Sequence, residues 1–233
     1  MPVKSKVEKS PERIKTGIPG LDKLIEGGFI KGSSILVAGS TGTGKTIFCC
    51  QFIREGLKNG EKCMYITFEE LPEEIKGDAS VFGWDFEKYE KEGKLILTFK
   101  DPFQVTDITT RLENEIKQEG ITRVVIDSTS LLGLYFKDPN DIRRELYKLI
   151  TALKNSGATS LLTAEAPEEG KISRFGVEEY VVDGVISLRG LEMGEVGFHS
   201  LQIIKMRRTK IDEGVCTLEF TKEGLKIKKE EKI

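Results

Sequence analysis

Short apolar runs recur along the chain: SSILVAG at 33 to 39, KCMYITF at 62 to 68, KLILTF at 94 to 99, TRVVID at 122 to 127, TSLLTA at 159 to 164 and GVISL at 184 to 188. Rich in β-branched residues and nearly continuous in hydrophobicity, they predict strands buried on both faces. Between them the apolar spacing becomes helical. The clearest case is residues 140 to 155, where Ile142, Leu146, Leu149, Ile150 and Leu153 share one face, Asn140 stands ready to cap and Gly157 to terminate. Strand and helix thus alternate, which predicts an α/β fold: a mostly parallel central sheet flanked by helices on both sides, with ligands beyond the carboxyl ends of the strands. The late runs at 199 to 206, 214 to 220 and 224 to 228 follow too closely for crossover helices and predict antiparallel C-terminal strands. No linker or repeat interrupts the pattern, so residues 14 to 226 are expected to form one domain. Residues 1 to 13 and 227 to 233 lack an apolar face and are expected to be a flexible N-terminal tail and a charged C-terminal tail.

Directly after the first of these strands comes GSTGTGKT, residues 39 to 46, followed by the apolar stretch IFCCQFIREGL. This is the GxxxxGK[ST] phosphate loop in its proper strand-to-helix context. Gly39, Gly42 and Gly44 let the backbone wrap a phosphate without Cβ clashes, and the amides of Ser40, Thr41 and Thr43 join them in the cradle at the positive end of a helix. Lys45 adds a cation beside the β and γ phosphates, and Thr46 offers its hydroxyl to Mg²⁺. The loop therefore predicts ATP and Mg²⁺ as cofactors.

Two strand ends supply acids for the same site. Asp127 closes TRVVID, where a carboxylate beside the phosphate loop holds Mg²⁺ through water. Glu69 and Glu70 follow YITF at the loop side of a parallel sheet, where a carboxylate can orient a water and take its proton as it attacks the γ-phosphate. Glu73 and Glu74 instead read as the acidic first turn of a helix after Pro72.

Overall charge narrows the partners. The 36 basic and 38 acidic residues leave a formal net charge of -2, which gives no global field for nucleic acid or an anionic membrane. The charged amino terminus lacks the apolar core of a signal peptide, and no apolar run is long enough to span a bilayer, so a cytoplasmic protein is expected. Cys49, Cys50, Cys63 and Cys216 form no CxxC pair and read as reduced packing residues, His199 and Trp84 as structural.

These motifs together resemble the KaiC-like branch of the RecA-type ATPases. The resemblance rests on TGIPGLDKLIEGG at 16 to 28, the phosphate loop, TFEE with FGWD at 82 to 85, VVIDS at 124 to 128, RREL at 143 to 146, RFGVEEYVVDGV at 174 to 185 and KMRRT at 205 to 209. It implies a single RecA-like ATPase domain that assembles into a homo-hexamer, with ATP held between neighbours. It implies that Glu69 and Glu70 are the catalytic acids, acting with Lys45, and that Lys205 and Arg207 reach across the interface to the neighbour's nucleotide. Arg208 stands where the family commonly has Gly, and Ile211 where it has His. The loop EGKISRFGVEEY is similar to that of the domain that only hydrolyses ATP, which implies no autokinase activity; Ser173 is its one nearby hydroxyl. Clock proteins of this family carry two such domains, so a circadian role does not follow.

Three functions fit this reading. The first is slow Mg²⁺-dependent hydrolysis that drives a conformational or assembly change in a signalling or regulatory role, with a protein partner still to be identified. The second is a recombinase-like DNA-binding ATPase, for which the loop at 166 to 176 lacks the basic, aromatic-interleaved character of a strand-binding surface. The third is a nucleotide-regulated scaffold with incidental turnover.

Overall fold

The computed structural model describes residues 10–100, 105–167, 171–193 and 196–228. A small antiparallel pair, β1 (Arg13–Ile14) with β2 (Phe29–Ile30), flanks a short helix α1 (Leu21–Leu24). The alternating unit then runs β3 (Ser34–Gly39), α2 (Lys45–Lys58), β4 (Lys62–Thr67), α3 (Pro72–Val81), α4 (Phe86–Lys91), β5 (Leu95–Phe99), α5 (Val105–Glu119) and β6 (Ile121–Asp127). It continues through α6 (Leu132–Tyr135), α7 (Pro139–Ser156), β7 (Thr159–Glu165), α8 (Glu178–Val181) and β8 (Gly184–Met193), ending in β9 (Val196–Met206), β10 (Val215–Thr221) and β11 (Gly224–Lys228).

The large sheet has the order β11-β10-β9-β8-β3-β7-β6-β4-β5. From β8 to β5 every neighbouring pair is parallel, and β9, β10 and β11 are added antiparallel, as the spacing of the late runs predicts. Each central strand feeds two cores by simple alternation. Ile35, Val37, Tyr65 and Val125 face α2 with Phe48, Phe52 and Ile53, whereas Leu36, Ala38, Met64 and Ile126 face α5 and α7 with Ile116, Leu149 and Leu153. This is why the strands read as unbroken apolar runs: burial on both faces leaves no polar alternate position.

The helix expected at 140 to 155 is α7, and Gly157 ends it in the left-handed conformation. Its cap differs from the expectation. Asp138 accepts the Asn140 N–H and Pro139 occupies the first turn, so the Asp-Pro pair takes the role assigned to Asn140. The folded body also exceeds the expected limits. Arg13 pairs with Glu26 at 2.9 Å and donates to Gly28 O, and Ile227 is 5% exposed with its N–H on Pro19 O. A single buried apolar residue in an otherwise charged segment is invisible to a test for an apolar face. Residues 1–9 and 229–233 of the expected tails lie outside the described residues.

Candidate functional site

Parallel strand direction brings the carboxyl ends of β3, β4, β6 and β7 to one edge, and there the phosphate loop lies beside the two acidic strand ends. Gly39 is the last residue of β3, packed so tightly that a Cβ would meet Thr43 Oγ1 at 2.5 Å and Leu188 O at 2.7 Å. Gly44, with φ 92°, starts α2, and a Cβ on it would meet Phe220 Cζ at 2.8 Å. Only glycine satisfies both the turn and the approach of β10. Thr43 Oγ1 donates to Ser40 O and is buried, while Thr41 and Gly42 line the cleft. Lys45 Nζ folds back on the loop, donating to Gly39 O at 2.9 Å and Ser40 O at 3.0 Å.

The loop borders a cleft of about 280 Å³ whose lining includes Thr46, Glu69, Glu70, Asp127 and Phe220. Asp127 is held from three sides. Tyr65 Oη donates to its Oδ2 at 2.6 Å, Thr163 Oγ1 donates to its Oδ1, and Thr46 Oγ1 stands 3.5 Å from Oδ2. Burial pushes the Tyr65 phenol well above its ordinary range, and the Asp127 charge adds to this, so Tyr65 stays a neutral donor.

The two glutamates, equivalent in sequence, separate in structure. Glu69 is exposed and accepts the Ser128 hydroxyl at 2.5 Å. Glu70 is half-buried, its backbone tied to Thr67 Oγ1, and its Oε2 is buried without a hydrogen-bond partner among the described residues. Burial raises the Glu70 carboxyl above the usual carboxylate range, with Asp127, Asp78, Glu74 and Glu69 adding in the same direction. An unpartnered buried carboxylate oxygen facing a cleft is costly unless something polar occupies the cleft.

Lys205 and Arg207 lie elsewhere. Gly39 pairs with Leu188, but Lys205 pairs with Val185, three residues back along β8 and so about 10 Å toward the amino ends of the parallel strands. Lys205 Nζ donates to Glu179 O at 2.6 Å, and its pKa is lowered by burial first and by Arg207 next. Arg207 stands 3.5 Å from Asp183 Oδ1, which Lys154 also contacts at 2.8 Å. The chain does not bring these two cations to its own phosphate loop.

The remaining candidates are structural. Trp84 is 3% exposed and stacks on Phe82 at 4.8 Å, and His199 tilts against Phe220 at 4.5 Å. Cys49, Cys50 and Cys63 are buried, and burial pushes their thiols up, Cys63 to about 12, which keeps them from acting as thiolates. Ser173 is buried, with its hydroxyl against the carboxylates of Glu178 and Glu179. Among the described residues no group of three His, Cys, Asp or Glu side chains is placed to hold a metal ion, and no helix is long and apolar enough to cross a membrane.

Sequence reasoning missed Tyr65, Thr163, Ser128 and Phe220. The available signal was polar side chains near the carboxyl ends of apolar strands: such a residue in a core needs a partner, and the strand order makes Asp127 that partner. Nothing in the sequence flags Phe220, which reaches the loop through antiparallel additions on the far side of β8.

Comparison with known proteins agrees with this architecture. The sequence model of the family described as "ATPase: KaiC" matches residues 14–232. The circadian clock protein KaiC3 of Synechocystis is 35% identical over 215 residues, covering 87% of this chain and 43% of that protein. The circadian clock oscillator protein KaiC of Synechococcus elongatus is 37% identical over 227 residues, covering 92% of this chain and 44% of its own length. The chain thus spans under half the length of these curated relatives. The crystal structure of the KaiC-like protein PH0186 from the hyperthermophilic archaeon Pyrococcus horikoshii superposes with a TM-score of 0.87 at 40% identity, over 94% of this chain and all of that one. With a RecA-type sheet, a phosphate loop and paired strand-end acids in place, the chain belongs to the KaiC family of ATPase domains.

Proposed function

We propose that the chain is a Mg²⁺-dependent ATPase working as a ring of identical protomers, a homo-hexamer in the family pattern. Each ATP is held by the phosphate loop of one protomer and completed by Lys205 and Arg207 of the next. The observation that carries the chemistry is the unpartnered Glu70 Oε2 in the cleft shared by the phosphate loop and Asp127.

The residues present fit the cofactors. Thr46 and Asp127 are hard oxygen donors, too few for an all-protein cage and suited to an ion that keeps waters and phosphate oxygens as ligands. When bound, Mg²⁺ offsets the charge on the β and γ phosphates. Tyr65 and Thr163 fix the Asp127 carboxylate in orientation. Lys45 exchanges the loop carbonyls it now holds for phosphate oxygens. Glu70 orients a water and accepts its proton as the water oxygen bonds to the γ-phosphorus and the bond to the bridging oxygen breaks, leaving ADP and phosphate. Its raised carboxyl suits a base better than an ordinary exposed carboxylate. Glu69, held by Ser128, supports the base rather than replacing it. Slow turnover of this kind fits a regulatory ATPase in the cytoplasm whose nucleotide state a protein partner reads.

The position of Lys205 and Arg207 at the other end of the sheet supports a shared site, because cations that cannot reach their own loop are free to serve a neighbour's. The test is complementation. Lys45→Ala removes the loop cation and Arg207→Ala the donated one, so each variant alone is inactive. In mixed rings a native loop meets a native Arg207 at some interfaces, and activity returns. Mixtures as inactive as the separate variants rule out the shared site.

A further inference from the structure

α7 runs from the carboxyl-end side of the sheet back to the amino ends of the parallel strands, and with α8 and the turn after β9 it borders a groove of about 680 Å³, larger than the phosphate cleft. Arg143, Arg144, Lys154 and Arg207 line it, flanked by Tyr147 and Tyr180 at 63% and 61% exposure. Cations there are in excess. Lys154 and Arg207 share the single carboxylate of Asp183, and Arg144 pairs with Asp141 and Glu145. Arg143 has no ion pair among the described residues and lies over the Tyr180 ring at 5.6 Å.

The phosphate-cleft end carries the converse. Glu69, Glu70 and Asp78 line the cleft, Glu74 follows on the first turn of α3, and none of the four has an ion pair among the described residues. Leu71, which caps this helix, and Val81 at its end are exposed at 56% and 77%. Two unlike surfaces, one cationic with exposed tyrosines and one anionic with exposed aliphatics, thus stand on opposite faces of the same sheet.

If Arg207 of one protomer reaches the cleft of the next, the groove that Arg207 lines must meet the rim of that cleft. We propose that the groove formed by Arg143, Tyr147 and Tyr180 is the receptor for the acidic α3 of a second copy of this chain, with Arg143 answering the charge of Asp78 and Glu74. The inference rests on the shared-site reading and adds which surfaces meet. Because the two surfaces differ, the contact is head-to-tail and propagates until it closes on itself. Opposed charges set register and speed encounter, and like charges forced together there disfavour the contact strongly.

Two exposed positions test it: Arg143→Glu and Asp78→Arg, with assembly read by sedimentation velocity in the presence of a non-hydrolysable ATP analogue. Each variant alone is expected to associate at least about 100-fold more weakly than the unmodified chain. An equimolar mixture is expected to associate again, because the Arg143→Glu chain keeps a native α3 and the Asp78→Arg chain a native groove. Variants that assemble like the unmodified chain overturn the inference and leave the ring intact, and so does a mixture that stays monomeric while the unmodified chain assembles. An unmodified chain that never assembles overturns the underlying reading as well.

Discussion

Replacing Glu70 with Gln isolates the proposed base, because the change keeps the shape of the side chain and removes its charge and its capacity to accept a proton. General base catalysis contributes about 10²–10⁴ in rate, so turnover should fall by that factor, equivalent to about 2.7–5.4 kcal/mol of transition-state stabilisation at 1.36 kcal/mol per decade. Nucleotide affinity should hold or improve, since a carboxylate beside Asp127 and the phosphates is lost. Stability should move the opposite way from activity. The raised Glu70 carboxyl means that the native state binds its proton more tightly than the unfolded chain does. Below the ordinary carboxylate range both states are protonated and there is no difference; as pH rises through that range to the raised value, native stability is lost. Gln removes this loss. Glu70 is half-buried and screened, so the gain at neutral pH is about 1 kcal/mol at most, a rise in Tm of about 2–4 °C for a chain of this size. It should vanish near pH 3. The assays are single-turnover hydrolysis with Mg²⁺, nucleotide binding by fluorescence and thermal melts at both pH values. Turnover within about tenfold of the unmodified chain, or a collapse found only in Glu69→Gln, refutes Glu70 as the base. The unmodified enzyme should also lose kcat/KM on acidification at a pH above that expected of an ordinary carboxylate.

Other outcomes follow from contacts around the site. Gly44→Ala puts a Cβ into Phe220 at φ 92° and should weaken ATP binding at least about tenfold, from backbone strain of about 1–3 kcal/mol plus the clash; Phe220→Ala in the same chain should relieve only the clash, as isothermal titration would show. Asp183→Ala frees Arg207 and Lys154 from their common anchor and should lower kcat more than it raises KM, while Asp183→Asn, which keeps an acceptor, should recover part of the loss. Ser173 is buried against Glu178 and Glu179, so mass spectrometry after prolonged incubation with ATP should find no phosphate on it.

Much of this site was legible because its chemistry is local. The phosphate loop sits in one stretch of eight residues, and parallel strand direction alone carries Asp127, Glu69 and Glu70 to the same edge. What escaped the sequence depends on which strands become neighbours. Thr163 and Tyr65 look like core residues until β6 is seen between β7 and β4, and Phe220 meets Gly44 only because three antiparallel strands extend the sheet past β8. The difference between Glu69 and Glu70 depends on one hydroxyl, Ser128, placed by the turn after β6. The cationic groove draws on residues from 140 to 207 in three elements, none of them a motif alone.

The central claim is that one chain alone does not make a complete site. The direct measurement is Mg²⁺-dependent ATP hydrolysis per protomer across a wide range of protein concentration, with the association state followed by sedimentation at each point. The shared site predicts a specific activity near background while the chain is monomeric and rising in step with association to a plateau. Full activity per protomer in samples that sediment as monomers would contradict it.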